Sequence, residues 1–149
     1  MKTEEHLKNN YTINTDKSKL DLSVIHHFLS ASYWAEDIPI TILKKAIENS
    51  LCFGVYNEHK QVGFARVISD YSTFAYLADV FIIEEERGKE LSKWLIECIL
   101  KHPELQGLRN FCLMTRDAHG LYKKFGFTNI PIPENFMAKK VEGIYKKKQ

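Results

Sequence analysis

Residues 80–94 read VFIIEEERGKELSKW, and this stretch decides how the rest of the chain is interpreted. Its first four residues close an apolar run over residues 74–83, which is typical of a buried strand. Apolar residues then recur at the spacing of an amphipathic helix: Leu91, Trp94, Leu95, Cys98 and Ile99. The stretch therefore predicts a buried strand that runs through a short charged loop into a helix.

The start of this helix is an expected anion site. The first backbone N–H groups of a helix have no partner within it, and together with the helix dipole they favour a group such as a pyrophosphate. Arg87 and Lys89 add two positive charges beside them. The alternative, a solvated charged turn between a strand and a helix, stays open on spacing alone. The phosphate-binding pattern GxxxxGK[ST] is absent from the sequence.

Turn signals divide the remaining chain into further strands and helices. We expect strands at residues 11–15, 51–56, 61–69, 74–83, 110–115, 127–132 and 136–141. We expect helices at residues 20–29, from Pro39 onward, at 91–100, and from a cap at Asp117 to Phe125, with Gly126 as the left-handed end. The strand at 74–83 is apolar on both faces, which predicts a central position under helices on both sides. The order predicts a mixed α/β layer fold.

Length and composition limit the classes of protein. The chain has 149 residues, 44% of them apolar, and a formal net charge of +2. We expect one domain over residues 1–149, with a core of about 11–141, and neither a basic nucleic-acid module nor a disordered acidic segment. The three lysines at residues 146–148 are the one feature that favours nucleic-acid binding. No stretch is long and apolar enough for a membrane span, and the polar start predicts a soluble, cytoplasmic protein.

The cysteines and histidines give no sign of a metal site. The three cysteines, Cys52, Cys98 and Cys112, lie apart in apolar surroundings and no CxxC pair exists. This pattern indicates inert buried thiols of a reducing compartment. The histidines show no ligand spacing, so we expect no metal.

Four segments, in this order, resemble the GNAT superfamily of N-acetyltransferases. The early strands read LCFGVYNEHKQVGFARVISD at residues 51–70, and the apolar strand reads AYLADVFI at 75–82. The loop and helix read RGKELSKWLIE at 87–97, and residues 111–127 read FCLMTRDAHGLYKKFGF, in which a small helix carries a tyrosine and ends in Gly-Phe. The resemblance spans about residues 11–141. It implies an acyl-CoA N-acyltransferase-like fold, with a mostly antiparallel sheet flanked by helices on both faces.

The resemblance also implies acetyl-CoA as the donor. Its pantetheine would lie along the backbone of the splayed strand end, at Val80, Phe81, Ile82 and Ile83. Its pyrophosphate would be held by the backbone amides of the following loop, at Arg87, Gly88, Lys89, Glu90, Leu91 and Ser92. Asp117 stands near the position where the family often has an asparagine that touches the donor.

The loop departs from the family pattern at one position. The pattern is Gln or Arg, two residues, Gly, one residue, then Gly or Ala, and here Glu90 replaces the first glycine and Ser92 the second small residue. A glutamate brings negative charge close to the phosphates, unless it turns to solvent or pairs with Lys89 or Lys93. We expect a non-glycine residue to serve there if its backbone stays in the helical region.

Two residues are candidates for catalysis. Tyr122 matches the family's tyrosine on the last helix, which often serves as general acid to the leaving thiolate; the alternative is a core tyrosine beside Phe125 and Phe127. Asp79 lies inside an apolar strand, where a carboxylate needs a reason to be buried. It either faces the acceptor cleft, to attract an amine or act as a base through water, or makes a structural hydrogen bond to a neighbouring loop.

The resemblance places residues 30–39 over the acceptor site. Tyr33 and Trp34, with Glu36 and Asp37, would form a wall that favours a cationic amine, or else a partly buried aromatic hinge. The function predicted is acetyl-CoA-dependent N-acetylation of a small-molecule amine or exposed amino group, by direct attack in a ternary complex of a monomer or homodimer. The alternative is the same fold as a catalytically weak binding domain for a metabolite or partner.

Overall fold

A computed structural model describes residues 1–146, and one six-stranded sheet forms its centre. The strands lie side by side in chain order: β1 Glu5–Lys8, β2 Tyr11–Asn14, β3 Leu51–Asn57, β4 Lys60–Ser69, β5 Phe74–Ile82 and β6 Asn110–Leu113. All neighbours are antiparallel except β5 and β6, which are parallel. The helices are α1 Leu22–Ser30, α2 Ile40–Glu48, α3 Leu91–Leu100 and α4 His119–Lys123. The mixed, mostly antiparallel sheet predicted from the sequence is confirmed.

Helices cover both faces of the sheet, as predicted. On one face Leu95, Ile96 and Ile99 of α3 are fully buried against side chains such as Phe53 and Val55 of β3. On the other face α1 and α2 bury a second set with strand residues: Ile25, Leu29, Leu43, Ile47, Phe64 and Phe81. Burial of apolar side chains on each face holds the helices against the sheet.

β5 lies second from the edge of the sheet, so the prediction of a central position was wrong. It is nevertheless covered on both faces, because Leu77 and Ile82 belong to the α3 core and Phe81 to the α1–α2 core. The central strands are β3 and β4. An apolar pattern on both faces therefore indicates cover by helices, which an inner strand next to the edge also has.

The strand β1 was not predicted, because residues 1–10 are polar. It forms an exposed hairpin with β2 through Asn9 and Asn10, since Lys8 pairs with Tyr11. Asn9 has a φ of 56°, a left-handed conformation that asparagine adopts more readily than most residues.

The strands predicted at residues 127–132 and 136–141 do not form in the described part of the chain, and that prediction was wrong. Pro131 and Pro133 each lack the backbone N–H that a strand would need for pairing. Residues Pro133–Asn135 form a short 3-10 turn instead. Large apolar side chains of this segment remain exposed: Ile130, Ile132, Phe136, Met137, Val141 and Ile144. Lys147 and Lys148, part of the basic end noted in the sequence, lie outside the described residues.

The helix α4 begins at His119 and ends at Lys123, two residues before the predicted end at Phe125. Asp117 does not cap it: Ala118 is the N-terminal cap residue, and its N–H donates to Thr115 Oγ1 at 2.9 Å. At the other end Gly126 has a φ of 89°, and the Phe127 N–H donates to the Tyr122 carbonyl at 3.2 Å. This left-handed glycine closes the helix and fixes the direction in which the chain leaves it.

We expect Gly126→Ala to lower the free energy of unfolding by about 1–2 kcal/mol, because the left-handed conformation is costly for a residue with a Cβ. The matched control is Gly120→Ala within α4. A Cβ added at either position meets no atom within 4 Å, so the two variants differ in backbone conformation alone. Gly120→Ala should leave stability unchanged or raise it by up to about 1 kcal/mol in urea unfolding. Equal losses in both variants would contradict this account.

Candidate active site

β5 and β6 separate to leave an open gap. The two strands pair over four positions, from Phe74 opposite Asn110 to Leu77 opposite Leu113. β6 ends there, whereas β5 continues to Ile82, so its edge beyond Leu77 has no strand partner on that side. We call this space the β5–β6 gap. An unpaired strand edge binds extended chains through main-chain hydrogen bonds.

A bulge in β5 lies beside the start of this gap. Arg66 pairs with Ala78 and Phe64 pairs with Phe81, so β5 contains one residue more than β4 over this step. Asp79 sits in the bulge with a φ of 57°. Bulges bend a strand and redirect its side chains, and aspartate is among the residues that tolerate the left-handed region.

The carboxylate of Asp79 is held on both oxygens. The Arg66 Nε donates to Oδ2 at 2.7 Å, and the Trp34 indole N–H donates to Oδ1 at 3.0 Å. Arg66 also donates through Nη1 to Ser50 Oγ at 3.1 Å. The pair is largely buried, with 8% of the Asp79 side chain and 16% of the Arg66 side chain exposed. These partners explain how a charged residue stands in an apolar strand. The bond from Trp34 is a hydrogen bond to a neighbouring loop, which is the alternative that the sequence left open for Asp79.

Tyr33 and Trp34 form an aromatic wall that joins the two sides of the gap. Their rings meet edge to face, with centroids 5.1 Å apart, and both side chains are partly exposed. Trp34 contacts β5 through Asp79. Tyr33 contacts the chain after β6, because the Arg116 N–H donates to its hydroxyl at 3.3 Å and the Arg116 guanidinium stacks 3.8 Å from its ring centroid.

Tyr122 is buried on α4, and 8% of the residue is exposed. Its ring packs edge to face against Phe127 at 5.9 Å. Burial raises the pKa of its hydroxyl to about 12, and the nearby Tyr33 and Asp117 add to this rise. The hydroxyl therefore keeps its proton at neutral pH.

A cleft of about 250 Å³ opens at the start of α3, and we call it the α3 cleft. No side chain caps the first turn of α3, so its leading N–H groups stay available to an anion. Predicted residues line most of it: Ile82, Arg87, Gly88, Glu90, Leu91 and Ser92. Four further residues line it and were not predicted: Glu86, Lys93, Leu121 and Lys124. Leu121 and Lys124 reach it because the fold, rather than any sequence spacing, brings α4 against α3.

Glu90 precedes α3 in the left-handed conformation, with φ 64° and ψ 17°. The condition set from the sequence, that the backbone of residue 90 stays in the right-handed helical region, is therefore not met. Its carboxylate points to solvent, 3.7 Å from Lys93 Nζ, with 72% of the side chain exposed. The charge is thus turned outward in one of the ways expected, while the backbone keeps the geometry that suits the family's glycine.

Lys89 does not line the α3 cleft but pairs with Glu86, which does. Its ammonium group donates to Glu86 Oε2 at 2.8 Å and to the Tyr11 hydroxyl at 3.3 Å. Glu86 also accepts hydrogen bonds from the Tyr11 hydroxyl and the Asn57 amide, and the three donors, Lys89 first, hold the pKa of Glu86 down at about 2. Of the two cations expected beside the anion site, Arg87 lines the cleft and Lys89 neutralises Glu86.

The thiols and histidines stay outside this arrangement. Burial raises the pKa of Cys52 and of Cys98 to about 11, and Cys112 is half-buried. Within residues 1–146 no three side chains of the metal-binding types converge. In the same part of the chain, no helix has the length and apolar character to cross a bilayer.

Comparison with known proteins agrees with this geometry. Residues 48–129 match the model of the acetyltransferase (GNAT) domain. A candidate acetyltransferase of Gibberella zeae is 32% identical, over 83% of this chain and 81% of that protein. The crystal structure of a candidate GNAT acetyltransferase from Xanthomonas campestris pv. campestris superposes with a TM-score of 0.90 at 50% identity, over 92% of this chain and 97% of that one.

A second crystal structure shares the fold alone. It is that of a candidate acetyltransferase of Clostridium acetobutylicum with acetyl-CoA, at a TM-score of 0.59 and 11% identity, over 88% of this chain and 95% of that one. From the domain match and the Gibberella and Xanthomonas relatives, the chain belongs to the GNAT acetyltransferase family. It is therefore an acyltransferase, and the family assignment made from the sequence is confirmed.

We expect Glu90→Gly to stabilise the protein by about 1 kcal/mol, because glycine adopts the left-handed conformation without the steric cost. Glu90→Gln is the matched control, since it removes the charge and keeps the Cβ. If backbone strain dominates, only the glycine variant unfolds at higher urea concentration. An equal rise in the free energy of unfolding of both variants would show that the charge of Glu90, not its backbone conformation, destabilises the protein.

Proposed function

We propose that the protein transfers an acetyl group from acetyl-CoA to an amine of a small molecule or to an exposed amino group. One observation carries the proposal: the unpaired edge of β5 leads directly to the uncapped start of α3. An extended chain that ends in phosphates fits this sequence of features, because it meets main-chain partners first and an anion site next.

The residues that would hold the donor follow from this order. The β5–β6 gap offers the backbone of Val80, Phe81, Ile82 and Ile83 to its extended part. The α3 cleft offers the loop from Arg87 to Ser92 to its phosphates, and Gly88, with a φ of 81°, lets the backbone approach closely. Lys124 adds a cation from α4 that the sequence did not indicate. The donor contributes an acetyl thioester, and Asp117 stays a predicted contact to it.

Tyr122 is proposed as the general acid. Acetyl transfer releases a thiolate, which needs a proton, while the attacking ammonium group must first lose one. A hydroxyl with a pKa of about 12 is protonated at neutral pH, so Tyr122 has a proton to give. Its place on α4 next to Leu121, which lines the α3 cleft with Lys124, supports a position near the donor.

Asp79 is proposed to act mainly through its partners. Both of its oxygens already accept hydrogen bonds, from Arg66 and Trp34, so its charge is paired within the protein. It therefore fixes the aromatic wall of Tyr33 and Trp34 against β5, where the acceptor is expected. A role as base through a water molecule, anticipated from the sequence, stays a prediction.

Direct attack within a ternary complex is the proposed course. A covalent route would need a reactive thiolate, and burial keeps Cys52 and Cys98 protonated at neutral pH. The monomeric or dimeric state, the cytoplasmic location and the absence of nucleic acid from the function stay predictions.

A second candidate function is a binding domain with little or no catalysis. Glu90 favours it, because a side chain stands in the left-handed position beside the α3 cleft where the family pattern has glycine. Such a domain would bind acetyl-CoA or a partner without releasing thiol in the presence of any amine.

Acetyl-CoA should stabilise the protein by about 2.7 kcal/mol when it is present at about 100 times its dissociation constant. Thermal unfolding with millimolar acetyl-CoA measures this shift. ATP is the control ligand, because it has phosphates but no pantetheine and should give a smaller shift. No shift with acetyl-CoA would contradict the proposed donor, and a shift without thiol release across an amine panel would favour the binding domain.

Tyr122→Phe should lower kcat by at least about 10-fold and leave KM for acetyl-CoA nearly unchanged, since proton transfer by a positioned group contributes about 10²–10⁴-fold. Because the hydroxyl titrates near pH 12, the variant should keep the shape of the pH–rate profile below pH 10. Tyr71→Phe, on a turn between β4 and β5, is the control and should match the parent enzyme. An unchanged kcat in Tyr122→Phe would remove Tyr122 from the mechanism.

A further inference from the structure

Arg116 is fixed at the aromatic wall by two contacts. Its backbone N–H donates to the Tyr33 hydroxyl at 3.3 Å, and its guanidinium lies 3.8 Å from the centroid of the Tyr33 ring. Stacking uses the flat face of a guanidinium and leaves the N–H donors along its edge available. The side chain is thus oriented at the acceptor side of the site with its hydrogen-bonding edge unused by the ring.

No carboxylate of residues 1–146 pairs with Arg116 within 4.0 Å. The carboxylates closest to it along the chain and along the aromatic loop are Asp117, Glu36 and Asp37, and all three are exposed. Asp79, the buried carboxylate at the wall, is already neutralised by Arg66 at 2.7 Å. The guanidinium therefore keeps its charge for a group from outside the chain.

The same contacts weaken the expectation that the wall attracts a cation. The sequence suggested that the face of an aromatic ring binds a cationic amine, yet a guanidinium already covers a face of the Tyr33 ring. The carboxylate beside Trp34 is paired as well. What the wall offers a ligand is one positively charged group with a row of donors.

We propose that the acceptor is an amine that also carries an anionic oxygen group, a carboxylate or a phosphate, and that Arg116 binds this group. The inference rests on the proposed function, because it names the acceptor of that reaction. A guanidinium edge matches two oxygens of either group at once, which fixes the orientation of the amine as well as its affinity. Arg116 is thus the residue that selects the acceptor.

Matched acceptor pairs test this assignment, with thiol release from acetyl-CoA as the readout. The pairs are 4-aminobutyrate against butylamine, an amino acid against its amide, and glucosamine 6-phosphate against glucosamine. We expect kcat/KM to favour the anionic member of at least one pair by about 10-fold or more, the usual strength of a charge-assisted pair. Whether carboxylates or phosphates show the preference identifies the source of the anion.

Arg116→Gln should remove most of that preference by raising KM for the anionic acceptor, and Arg116→Lys should restore part of it. Arg109→Gln is the control, since Arg109 lies at the other end of β6 and its change should keep the preference. Two results would overturn the inference and leave the proposed function intact. One is transfer to amines with no preference for the anionic member of any pair. The other is an equal loss of kcat/KM for both members of a pair in Arg116→Gln. No transfer to any amine would overturn both.

Discussion

The ion pair between Asp79 and Arg66 is the contact on which the arrangement of the site depends. Asp79 lies in the left-handed bulge of β5, beside the point where β5 and β6 separate. Its Oδ2 accepts from Arg66, and its Oδ1 accepts from the Trp34 indole. One carboxylate thus links the shape of the strand to the position of the aromatic loop. Loss of either partner would leave a buried charge unpaired, which generally costs about 3–5 kcal/mol. The pair therefore stabilises the fold and shapes the site through the same atoms.

The acidic side chains of the loop before α3 are paired with cations or turned to solvent. Glu86 is held by Lys89, Tyr11 and Asn57, and Glu90 turns toward solvent. Glu86 and Glu90 line the cleft, but each has a lysine partner, Lys89 or Lys93. Arg87 and Lys124 line the cleft with no carboxylate within 4.0 Å among residues 1–146. A near-neutral chain can in this way present a locally positive cleft.

Local patterns were sufficient to predict the helices and the inner strands, because the spacing of apolar residues reports which side of an element is buried. They failed where a distant partner decides the outcome. A polar hairpin formed β1, the segment after Gly126 found no strand partner, and Thr115 rather than Asp117 accepts the hydrogen bond at the start of α4. In the site, sequence indicated Asp79, Trp34 and Tyr122 but not Arg66 as the partner of Asp79, since sheet register sets that pairing.

The hydrogen bond from Trp34 to Asp79 also gives the protein an optical probe. The chain has two tryptophans: Trp34 stands in the aromatic wall, and Trp94 borders a second depression with Lys89 and Glu90, next to the loop that leads into α3. Indole emission responds to local polarity and quenching. Because Trp34 lies in the aromatic wall and Trp94 lies beside the loop that leads into α3, single Trp→Phe replacements would let intrinsic fluorescence report on the two regions separately.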